Sequence, residues 1–109
     1  MPGALLTDLY ELNMAASYLR HGMRAPATFS LIVRNLPPSR GFLVAAGAES
    51  CCEWSEQFGF EDEDLAYLGF DDATLESFST LRFTGEVVAV PEGRIIFANE
   101  PILEGTLSM

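Results

Sequence analysis

The chain has 109 residues, enough for one domain with a modest core, and an apolar fraction of 49% with 11% aromatics argues against disorder. Against 16 acidic residues stand 6 basic ones, all arginine, for a net charge of −10. That balance disfavours non-specific nucleic-acid binding and anionic membranes, but leaves guanidinium groups able to converge on a small anionic ligand.

Leu5 to Gly22 reads as the first helix. Leu5, Leu9, Leu12, Ala16 and Leu19 recur at helical spacing and predict one buried face. Asp8 suits an N-cap, with Glu11 three residues on as the other half of a capping box. His21 falls in the last turn, where partial positive charge is favoured, and Gly22 supplies a left-handed stop. Tyr10 and Met14 lie on a different face from the apolar stripe.

Arg24-Ala25-Pro26 breaks the helical pattern, and Ala27 to Arg34 alternates as a strand. Phe29, Leu31 and Val33 share one side, and Thr28, Ser30, Ile32 and Arg34 the other. Asn35 to Gly41 is a rigid connection whose prolines forbid continued pairing. Phe42 to Gly47 is either a brief strand or the run-in to a helix. Ala48 to Phe58 is helical, with Cys51, Trp54 and Phe58 on one face.

Glu61 to Leu68 is a short helix with an acidic first turn, and a further helix capped by Asp71 or Asp72 buries Leu75 and Phe78. The acid run Glu61 to Asp64 lacks the glycine and spacing of a calcium loop and reads as a solvated helix start. Phe83 to Val90, Arg94 to Phe97 and Ile102 to Leu107 are strands separated by turns at Pro91 and Pro101, predicted as a meander. Helix, strand, helices and meander argue for an α+β fold within one domain spanning residues 1–109. The last strand runs to Met109 with nothing predicted to cover its edge, so a piece of a larger protein is expected.

Little chemistry is visible by residue type. The two cysteines, Cys51 and Cys52, are adjacent; their divergence on a helix makes a mutual disulfide implausible, and they read as small buried residues in a reducing cytoplasm. The single histidine and the absence of CxxC spacing give no zinc signature, and no nucleophile–histidine–acid set, P-loop or membrane-length apolar run is present. The candidate ligand-binding set is Asp8, Tyr10, Arg34 and Arg40, an aromatic, a carboxylate and two guanidinium groups suited to a planar or anionic ligand.

The segments TDLYELNMAASYLRHGM (Thr7 to Met23) and ATFSLIVRNLPPSRGFLVAAG (Ala27 to Gly47) resemble the start of nicotinate phosphoribosyltransferases. FTGEVVAVPEGRIIFANEPIL (Phe83 to Leu103) is similar to that family's next segment, so ordered motifs cover most of the chain. The resemblance implies the N-terminal α+β domain of a type II phosphoribosyltransferase, hammerhead-like, helices with a small antiparallel sheet, without the family's C-terminal α/β barrel. It further implies formation of nicotinate mononucleotide and pyrophosphate from nicotinate and phosphoribosyl pyrophosphate, coupled to ATP hydrolysis, in NAD salvage. Head-to-tail homodimers are implied, in which the N-terminal domain of one subunit completes the other's site. Tyr10 would stack on the pyridine ring, Asp8 matches the motif aspartate beside it, and Arg34 aligns with an arginine that holds the phosphate end. Arg40 inherits no role.

ATP and magnesium are implied as well, with their binding residues mostly outside this chain, as is the histidine that is phosphorylated. Asn13 stands where threonine is commoner, Glu53 to Ser79 matches loosely, and ILEGTLSM departs from the usual pattern. No catalytic residue and no metal site is assigned, and the 109-residue chain alone is expected to be inactive. Two alternatives stand beside this: a non-catalytic module pairing through its open strand edge, and a relative acting on nicotinamide or quinolinate.

Overall fold

The computed structural model describes residues 3–108 and gives an α+β architecture of helices and small antiparallel sheets. The first helix, α1 (Leu9–Arg20), begins after a turn in which Leu6 N–H donates to Gly3 C=O and Thr7 N–H to Leu5 C=O. Asp8 holds the N-cap position with an extended backbone, but its side chain makes no capping hydrogen bond. The expected box with Glu11 does not form, because the Glu11 carboxylate accepts the Thr7 hydroxyl instead. Leu12 and Ala16 are buried, with Leu5 and Leu19 packed beside them. Leu9 departs from expectation at 63% exposed: it sits about 60° round the helix from Leu12, at the edge of the stripe. At the far end His21 Nδ1–H donates to Ser17 C=O at 2.8 Å, and Gly22 takes the left-handed stop with φ +61°.

The chain divides into two compact units: residues up to Ala25 with Glu56–Phe83, and Pro26–Ser55 with Thr84–Ser108. The first unit holds α1, α3 (Asp62–Tyr67) and α4 (Asp72–Thr80) around Leu12, Ala16, Phe60, Leu68 and Phe78. Phe78 is 0% exposed, as its helical spacing predicts, and stacks on Phe60 with centroids 5.1 Å apart. Phe70 meets it edge-on at 5.6 Å. The acid run starts α3, where the Asp64 carboxylate accepts Glu61 N–H at 2.9 Å. Asp71 is the N-cap of α4, but its carboxylate accepts the Thr74 hydroxyl at 2.6 Å rather than a backbone N–H.

In the second unit β1 (Ala27–Leu31), β3 (Glu86–Ala89) and β5 (Leu103–Leu107) form an antiparallel sheet in the order β1-β5-β3. A separate ribbon pairs β2 (Leu43–Val44) with β4 (Ile95–Ile96), so residues 42–47 contain a brief strand and also lead into a helix, α2 (Ala48–Gln57). The predicted meander is therefore wrong. The turn after Pro91 carries β4 to β2, and β5 enters between β1 and β3. The last strand is consequently central and paired on both sides, where an uncovered edge was expected; Met109 itself lies outside the described residues.

The alternation across the sheet follows the sequence. Phe29 stands opposite Gly105, which stands opposite Val87, while the other face pairs Thr28 with Thr106 and Ser30 with Glu104 through side-chain hydrogen bonds of 2.8 and 2.9 Å. Gly85, just before β3, is required by close approach: a Cβ there would lie 2.1 Å from the Thr106 carbonyl oxygen. Glu92, in the turn before β4, accepts N–H bonds from Gly47 at 3.0 Å and Glu49 at 3.1 Å, and so stabilises the start of α2. Helix α2 has no fully buried residue; Cys52 and Trp54 are half-buried, and Cys51 is exposed, contrary to the buried thiol expected. Both cysteines are free thiols.

Candidate functional site

The first turn of α1 gathers four polar side chains that its packing does not consume. Asp8, at the N-cap, keeps its carboxylate out of helix capping and exposed. Tyr10 is 60% exposed, and Met14, one turn on, is exposed beside it, as their displacement from the buried stripe predicts. Thr7 and Glu11 are joined by a hydrogen bond, and the Tyr10 hydroxyl lies 3.5 Å from the second Glu11 carboxylate oxygen. The result is an aromatic face with free surface next to an uncommitted carboxylate, on a helix fixed from behind by Leu12 and Ala16. Such a surface can stack on a planar ring and accept a hydrogen bond from it.

Arg34 belongs to the second unit. It lies beyond β1, whose strand ends at Leu31 rather than at the predicted Arg34, because the chain there bonds to a turn instead of to a strand. Asn99, at φ +64°, donates its N–H to Val33 C=O at 2.8 Å and holds the backbone beside Arg34. The Arg34 side chain is exposed, so its guanidinium is accessible to an anion. Arg40 sits in a turn closed by its own N–H to Pro37 C=O at 2.9 Å, and it too is exposed. Asp8 and Tyr10 thus share one turn, while Arg34 and Arg40 are carried by the other unit.

Sequence reasoning missed Glu11 as a neighbour of Tyr10, having assigned it to a capping box. The four-residue spacing of Thr7 and Glu11 signals their own pairing, but nothing in the spacing signals the contact of Glu11 with Tyr10, since consecutive helical residues diverge.

Among the described residues no group of three or more His, Cys, Asp or Glu side chains is placed to hold a metal ion, and no helix is long and apolar enough to cross a membrane.

The sequence profile of the nicotinate phosphoribosyltransferase (NAPRTase) N-terminal domain matches residues 5–107. A nicotinate phosphoribosyltransferase of Mycobacterium tuberculosis is 44% identical over 106 residues, covering 94% of this chain and 23% of the relative. That of Bacillus subtilis is 42% identical over 105 residues, covering 92% and 21%. The crystal structure of human nicotinic acid phosphoribosyltransferase superposes with a TM-score of 0.81 at 34% identity, over 95% of this chain and 22% of that one. The chain spans 21–23% of the length of these bacterial relatives. On the matched profile, these relatives and the shared fold, the chain belongs to the nicotinate phosphoribosyltransferase family as its N-terminal domain.

Proposed function

We propose that this chain is the N-terminal part of an enzyme that joins nicotinate to phosphoribosyl pyrophosphate, releasing nicotinate mononucleotide and pyrophosphate with ATP hydrolysis, in cytoplasmic NAD salvage. Its own contribution is to binding. Tyr10 stacks on the pyridine ring, Asp8 supports the ring's polar edge, and Arg34 contacts the phosphate end, within a head-to-tail homodimer that shares its sites. The observation that carries this reading is Tyr10, a large aromatic held off the core face at 60% exposure beside a carboxylate that capping does not use. Stacking adds about 0.5–1.5 kcal/mol beyond burial, enough to orient a ring but not to bind it alone. The rest of the affinity, and the reacting groups, come from elsewhere in the enzyme, and the 109-residue chain by itself is inactive. The residues that hold the family's ATP and magnesium lie mostly outside this chain.

The test is a chimera in which this chain replaces the matching segment of the Mycobacterium tuberculosis relative. A folded chimera is expected to make nicotinate mononucleotide, and Tyr10→Ala to raise the nicotinate KM about tenfold, the loss of about 1.4 kcal/mol. A folded, active chimera indifferent to Tyr10→Ala overturns the stacking role. Competition with nicotinamide and quinolinate in the same assay distinguishes the base. The rival interaction module loses its supposed mechanism, since the strand it would pair through is central in the sheet.

A further inference from the structure

Thr7 and Glu11, to which the family reading gives no role, form a cluster with Tyr10. One carboxylate oxygen of Glu11 accepts the Thr7 hydroxyl, and the other faces the Tyr10 hydroxyl at 3.5 Å. Consecutive residues on a helix diverge by about 100° and do not normally face one another. For Tyr10 to reach the residue that follows it, the phenol must lean along the helix surface, and the residue stays 60% exposed. At 3.5 Å the contact is long for a hydrogen bond, so it biases the side chain toward one orientation rather than locking it there. Thr7 restrains the carboxylate from its other side, so the acceptor is itself held in place.

We propose that Glu11 is a positioning residue that sets the rotamer of Tyr10 and thereby the ring face offered to a planar ligand. The ligand half of this statement rests on the function proposed above; the orienting half does not. An exposed aromatic free to sample the staggered χ1 wells presents the competent one part of the time. Apparent affinity falls by that fraction, so losing the bias toward one of three wells weakens ligand binding by at most about threefold.

The orienting half is read by NMR on the 109-residue chain, through the Hα–Hβ couplings of Tyr10. The wild-type chain is expected to show one large and one small coupling. Glu11→Ala and Tyr10→Phe, which keeps the ring and loses the hydroxyl, should both give averaged values. Unchanged couplings in Glu11→Ala, with helicity retained by circular dichroism, overturn the proposal. Should Glu11→Ala lose helicity, Tyr10→Phe decides alone, with couplings equal to wild type overturning it. In the chimera, Glu11→Ala is expected to raise the nicotinate KM by about two- to threefold with kcat preserved, and to add nothing to Tyr10→Phe. An active chimera in which the two effects add also overturns the role. A folded chimera without activity, alongside averaged couplings in the variant chain, refutes the proposed function and leaves the orienting role intact.

Discussion

Replacing Phe78 by alanine tests whether the aromatic cluster holds the helix that presents Tyr10. Phe78 is fully buried, stacks on Phe60 at 5.1 Å and meets Phe70 edge-on at 5.6 Å, and the same cluster packs Leu12 and Ala16 of α1. A buried Phe→Ala change costs about 3–5 kcal/mol through lost transfer energy and the cavity left behind. With no solvent-exposed edge and two ring partners, the upper part of that range, about 4–5 kcal/mol, is expected here. Stability of roughly 0.05–0.15 kcal/mol per residue gives a chain of this length about 5–15 kcal/mol in all, so the variant should lose a large share of its total. Phe78→Leu keeps most of the volume but abolishes both ring pairs, and should cost about 2 kcal/mol. Urea unfolding followed by far-UV circular dichroism measures both. A loss below about 1 kcal/mol for Phe78→Ala would refute the placement of this ring at the centre of the helical unit.

Gly85→Ala forces a Cβ to within 2.1 Å of the Thr106 carbonyl oxygen, so β3 must shift from β5; a loss of about 1–3 kcal/mol in urea unfolding is expected, and wild-type stability would contradict the close approach. The Thr74 hydroxyl on Asp71, assisted by the Arg20 guanidinium at 3.5 Å, holds the Asp71 carboxyl below its ordinary value of 3.8. A depressed folded-state value means that the contribution is complete above 3.8 and is lost as pH falls through the lower folded value. Asp71→Asn should therefore flatten the acid limb of a stability–pH curve below that pH, and an unchanged limb would exclude the group. Tyr10→Ala should leave the unfolding midpoint of the chain within about 0.5 kcal/mol of wild type, since the side chain is mostly exposed; a larger loss would make Tyr10 a packing residue.

The helical unit was largely legible because its information is local. Leu12, Ala16, Leu75 and Phe78 repeat at the helical period, and all pack in or against one core. Gly22 marks a left-handed stop that a residue with a Cβ adopts at a cost. Cap chemistry was less legible, because Asp8 and Glu11 satisfy a capping pattern equally well whether or not Thr7 competes for the carboxylate. Strand partners were the least legible. Alternation along Ala27–Leu31 fixes which side chains share a face, but it carries no information about whether β4 or β5 lies alongside β3. The exposed Cys51 shows a related limit: of the predicted stripe Trp54 is half-buried and Phe58 packs against the helical core, so the spacing found the inward side but not which residue falls at its rim. For the candidate site, the motif around Tyr10 was legible by likeness to a family, whereas the Glu11 contact required coordinates.

The exposed residues of the two units follow one logic. Phe29 and Leu31 lie on the apolar side of the sheet and remain exposed, just as Leu9, Tyr10 and Met14 do on α1. Apolar surface left open in a small fold costs solubility and adds nothing to the fold's own stability, so its persistence calls for a use outside the unit that bears it. On α1 that surface includes a ring with a polar handle and sits beside a free carboxylate, the composition of a ligand contact. On the sheet it is purely aliphatic and aromatic, without a polar group on the same face from β1, the composition of a packing surface. The chain's family relatives are four to five times its length, so there is ample protein in such an enzyme to meet both kinds of surface. Substitutions therefore separate the two: polar replacement of Phe29 should disturb assembly of the longer enzyme and leave nicotinate KM in the assembled fraction unchanged, whereas Tyr10→Ala should do the reverse.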